Sequence, residues 1–84
     1  IVLLTENENN IVLEAKGKYQ ICNPLNDFVI GKGNQKRAIL SYDGSSIVWG
    51  DPIPGFSLIR VVPLDSESTI LVNVTILSYL VFTI

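Results

Sequence analysis

A chain of 84 residues has room for one domain and not for two, and a domain of that size hides only about 60–65% of the surface its unfolded chain exposes. Apolar residues make up 48% and charged residues 17%, which excludes the low-hydrophobicity signature of disorder and calls for a packed structure. The net charge is −2, and the six cations, Lys16, Lys18, Lys32, Lys36, Arg37 and Arg60, are scattered along the chain without forming a stripe. Nucleic acid, whose binding requires several phosphates to be neutralised together, is therefore not an expected partner.

The opening IVLL is too short for the apolar core of a signal peptide and has no basic segment before it, so no signal is read there. Starting on Ile1 and not on methionine, the chain reads as a processed or excised segment. From there, runs of β-formers alternate with turn residues, and nowhere does apolar spacing hold a period of 3.6 residues. Strands are predicted over 1–4, 11–15, 19–22, 28–30, 37–42, 47–49, 56–62, 69–72 and 75–82. Between them lie ENENN, KGK, NPLND, GKGNQ, DGSS, GDPIPG and PLDSES. Glycine supplies positive φ, proline fixes φ, and Asn or Asp closes a local turn. Such spacing predicts an all-β domain over 1–84: a small antiparallel sandwich or barrel-like module of short strands.

Cys22 is the only cysteine, so no internal disulfide can form, and in YQIC it reads as a small apolar strand residue. No histidine is present, which excludes Ser-His-Asp and Cys-His catalysis and His-bearing zinc sites within the chain; no metal or cofactor is expected. The eight carboxylates fall almost wholly in predicted turns, where solvation is a better account than a pair working across a sugar. GKGNQKR at 31–37 lacks the spacing of a phosphate-cradling loop and reads as a basic hairpin turn, with contact to an anionic polymer as a secondary reading. In FSLIRVV, Phe56, Leu58, Arg60 and Val62 share one face and Ser57, Ile59 and Val61 the other; since neither is cleanly polar, both are expected to be partly covered.

The uncharged run 68–84 is rich in β-branched residues and just short of a membrane-spanning length, so it reads as a buried strand or strand pair, and membrane contact is not expected. The sequon Asn73-Val74-Thr75 lies inside that run and is taken as chance.

WGDPIPG at 49–55 gathers the only tryptophan with two of the four prolines and two of the six glycines. Pro52 and Pro54 force extended geometry on the residues before them, giving a rigid corner between strands. Trp49 there is either core, which the physics favours, or a platform on which a sugar ring stacks.

Residues 17–73 resemble the amino-terminal β portion of SpoIID/LytB-type proteins in the form found in chlamydia-like bacteria. The resemblance is carried by Tyr19, Cys22-Asn23-Pro24, Lys36-Arg37, Trp49-Gly50-Asp51, Pro54-Gly55, Ile59-Arg60-Val61-Val62-Pro63 and Ser68-Thr69-Ile70-Leu71-Val72-Asn73. It implies association with peptidoglycan outside the cytoplasmic membrane, in division or sporulation, because SpoIID-like proteins are lytic transglycosylases that act through a glutamate. That glutamate lies downstream of the matched part, so this chain is expected to be noncatalytic by itself. Under this reading Trp49 stacks on a sugar, Asp51 accepts hydroxyl hydrogen bonds and Arg60 pairs with a muropeptide carboxylate, the partners being glycan strands or cell-wall proteins. The family continues after the matched asparagine with glycine, where this chain has Val74. A β-branched residue suits the positive φ of a type I′ turn poorly, which argues against a tight hairpin there. The competing reading is an interaction module that pairs with a partner or its own copy through the apolar residues 75–84.

Overall fold

A computed structural model describes residues 2–6, in their main chain alone, together with 11–72 and 75–83. Its spine is a long antiparallel pair, β2 (Ile11–Asn23) with β3 (Phe28–Tyr42). Along β2 the odd-numbered Ile11, Leu13, Ala15, Tyr19 and Ile21 are buried, the period-2 pattern of a strand with one face on a core.

Both strands bend at one place. Between the pairs Ala15↔Lys36 and Lys18↔Asn34, Lys16 and Gly17 oppose Gln35 alone, so β2 carries an extra residue and turns sharply. Gly17 (φ 81) and Gln35 (φ 60) are both left-handed, and the Gly17 N–H donates to Gln35 Oε1 at 3.3 Å.

The bend is repeated in the neighbouring strands. β6 (Leu58–Pro63) and β7 (Thr69–Val72) lie end to end along β2, with Tyr19↔Pro63 and Lys16↔Thr69 bracketing residues 64–68, which loop out opposite Gly17. β8 (Thr75–Leu77) pairs with β7, and after Ser78 the chain continues as β9 (Tyr79–Thr83) against β6. β1 (Val2–Glu6) runs parallel to β9. On the far side, β4 (Ile47–Trp49) pairs with β3, and β5 (Asp51–Ile53) with β4. The nine strands make one sheet in the order β1-β9-β6-β2-β3-β4-β5, with β7 and β8 as a side branch. The expected all-β class is what forms, as a sheet bent over a single core and not closed into a barrel, and no described residue is helical.

The core contains Leu13, Leu40, Ile47, Trp49, Ile59, Val61, Ile70, Leu80 and Phe82, all fully buried. Run 68–84 contributes Ile70, Leu77, Leu80 and Phe82, so its apolar character fills this domain's own interior. In FSLIRVV the alternation holds from Leu58, where β6 begins: Ile59 and Val61 are buried, while Leu58, Arg60 and Val62 are half-covered; ahead of the strand it fails, with Ser57 exposed and Phe56 packed against the core.

Three sequence expectations need correction. The strands are not all short, because KGK and GKGNQ are not turns: each lies inside a strand at the bend. Residues 51–53, expected in a loop corner, form β5. The hairpin that Val74 argued against is made, with Val72↔Thr75 the innermost pair. The ENENN turn and the sequon's Asn73 and Val74 lie outside the fully described residues.

Candidate functional site

Trp49 ends β4, and Gly50 (φ 72) turns the chain so that Asp51 pairs directly back with Trp49. The indole has no exposed surface. Its Nε1–H donates to the Leu13 carbonyl oxygen at 3.2 Å. Tyr19 meets it edge-on, ring centroids 5.0 Å apart at 64°, a favourable aromatic geometry. Over the ring sits the Lys36 Nζ, 4.8 Å from the centroid, within cation–π range. Trp49 therefore has no face on which a sugar could stack: the sequence-based role as a platform is corrected to core. Asp51 is exposed at the edge of the corner. Burial first, and the Asp51 carboxylate second, push the Tyr19 phenol above its ordinary pKa.

Arg60 is elsewhere. Ile59 and Val61 on either side of it face the core, so alternation sends Arg60 to the outer face, beside Cys22 on β2 and Val81 on β9. Trp49 and Arg60 thus occupy opposite sides of the sheet, and the three residues grouped from the sequence do not converge on one surface.

The surroundings of Arg60 are built by the turn after β2. Asn23 accepts from the Leu25 N–H through Oδ1 at 3.0 Å, and its carbonyl accepts from the Asp27 N–H at 2.8 Å. Pro24 fits the first corner of such a turn because its φ is preset. Asp27, at φ 58, is brought to Arg60, whose Nη2 donates to Asp27 Oδ1 at 2.6 Å. The guanidinium also lies 5.9 Å from the Tyr79 ring centroid. Contact with the Cys22 sulfur, and next the bond to Asp27, raise the Arg60 pKa further, so the group is a permanent cation. Its Nε is buried without a hydrogen-bond partner.

Two features suit this place to binding. Asp27 is 81% exposed on its side chain and holds Arg60 through a single oxygen; exposed pairs of this kind contribute about 0–1 kcal/mol, so a ligand carboxylate can replace it. Around the turn, Leu25, Phe28 and Val29 are 81%, 59% and 41% exposed, an apolar rim beside a fixed charge. Asp27 was not singled out from the sequence, although the NPLND turn that carries it was; what the sequence lacks is the register Cys22↔Arg60 that brings the turn and β6 together. Comparisons with protein-family models, characterised proteins and solved structures give no match for this chain.

Proposed function

We propose that the chain is a noncatalytic, peptidoglycan-associated β module, of the kind the SpoIID/LytB resemblance implies, that holds a carboxylate of a muropeptide at Arg60. The observation carrying this reading is the Arg60–Asp27 pair: a fixed guanidinium whose carboxylate partner is itself exposed and held by one bond. Arginine recognises carboxylates through two parallel N–H donors, and a free ligand can align to a second donor. The extracytoplasmic setting and the glycan partner come from the resemblance alone. Binding to purified sacculi tests the reading: Arg60→Gln is expected to lose most of the bound fraction, and equal retention of wild type and variant would remove its basis.

A second reading, self-association through the C-terminal strands, is favoured by Ile76, which is 61% exposed on β8. Among the described residues β8 pairs only with β7, whereas β9 has β6 on one side and β1 on the other. The available edge is thus residues 75–77 and not the whole run 75–84. Light scattering on the wild-type chain and Ile76→Lys separates the two readings, since only self-association makes the mass depend on residue 76.

A further inference from the structure

The cations that look scattered along the sequence are gathered by strand register. Five of the six lie on β2 and β3 around the bend: Lys16 and Lys18 on one strand, Lys32, Lys36 and Arg37 on the other. Directly opposed residues of an antiparallel pair share a face. The register sets Gln20 opposite Lys32, Lys18 opposite Asn34 and Glu14 opposite Arg37, while the residues between them, Ala15, Tyr19 and Ile21, point into the core. Lys16, Lys18, Lys32 and Arg37 therefore stand together on the convex side of the bend, and all four are exposed. Lys36, on the inner side, is occupied with Trp49.

The strand positions that carry neighbouring charges on this surface are about 7 Å apart, two residues along a strand or one diagonal across the pair. Two carboxylates lie close by. Glu14 is half-covered and faces Arg37. Asp65 is near Lys18 but its Oδ1 is engaged by the Ser68 hydroxyl at 2.8 Å and the Glu67 N–H at 3.0 Å. Among the described residues, none of the four exposed cations is in an ion pair.

We infer that the convex side of the β2–β3 bend binds an aliphatic phosphodiester chain, a polymer of polyol and phosphate without bases. Three of the four groups are lysines, which act as point charges suited to phosphate rather than as bidentate forks for carboxylate. Bases would need aromatic platforms interleaved with the cations, and the aromatic rings nearest the bend, Tyr19 and Trp49, are turned inward. This surface involves none of the residues of the Arg60 site, so it stands or falls separately.

The test titrates the whole chain with a synthetic glycerol-phosphate oligomer and, in parallel, with oligothymidylate of equal charge, at several salt concentrations. Lys18→Gln with Lys32→Gln is the variant; both side chains are exposed, and the strand pairing of both residues and the Lys18 carbonyl that accepts from the Leu64 N–H are main-chain interactions that glutamine keeps, so its thermal melt checks that the sheet survives. Expected are salt-dependent binding of the glycerol-phosphate oligomer, at least tenfold weaker binding by the variant, and a shallower log–log salt slope by roughly 1.4, about 0.7 for each cation removed. Binding unchanged in the variant, no binding at low salt, or oligothymidylate bound as tightly as the glycerol phosphate would each overturn the proposal.

Discussion

The indole N–H of Trp49 donates to the main-chain carbonyl of Leu13 across 36 residues of sequence, tying the β4–β5 corner to the middle strand of the sheet. This bond satisfies the buried indole N–H and fixes the ring in the core. Replacement of Trp49 by Ala should cost about 3–5 kcal/mol for the lost side chain, with Trp49→Phe less damaging, losing the indole hydrogen bond at about 0.5–1.5 kcal/mol. Urea unfolding measures both. Native Trp49 fluorescence should be blue-shifted and resistant to iodide quenching.

Gly17 and Gly33 are the positions where a methyl group should be least tolerated. At Gly17 a Cβ would stand 2.8 Å from Ser68 Oγ and 3.2 Å from Ser68 Cα, on a left-handed residue. At Gly33 it would overlap the Tyr19 ring, 2.8 Å from one ring carbon. Gly31, two residues earlier on the same strand, has open space. Gly17→Ala and Gly33→Ala should each lower stability by about 1–3 kcal/mol, the range for overpacking, with Gly31→Ala nearly neutral, as read by chemical denaturation.

Three groups make stability depend on pH. Because the Tyr19 pKa is raised in the folded state, its contribution is fully present below the unfolded value of about 10 and is lost as pH rises through the folded one. Tyr19→Phe should flatten that alkaline limb. At the acid end, the Ser68 hydroxyl, then backbone N–H groups, hold the Asp65 pKa down, and the Ser45 and Ser46 N–H groups do so for Asp43. Stability from these turns is present above about pH 4 and falls as pH drops through their folded values. Asp65→Asn should move the acid midpoint in a pH titration of the circular dichroism signal.

What could be read from the sequence follows from which interactions are local. Alternation in FSLIRVV correctly put Ile59 and Val61 on one face, since period 2 needs only neighbours along the chain. The same local reading separated 11–15 from 19–22, because glycine marks a turn and a bulge alike, and only the pairing of Ala15 with Lys36 and of Lys18 with Asn34 distinguishes them. Residues 51–53 looked like loop because proline disfavours a central strand, yet Pro52 lies on β5, which among the described residues pairs only with β4 at the end of the sheet and tolerates it. The site was legible in part: Arg60 was named, but Asp27 lies 33 residues away. Trp49, the most conspicuous residue of the sequence, is conspicuous for packing.

The central claim, that the binding residue is Arg60 on the outer face and not Trp49 at the corner, is tested most directly by following amide and side-chain resonances while a muropeptide carrying free carboxylates is added. The account predicts shifts at Arg60, Asp27, Cys22 and Tyr79, abolished by Arg60→Gln, with the Trp49 indole resonance unmoved. A shift led by the Trp49 indole and Asp51 with Arg60 unaffected, or no shift at all, would contradict it.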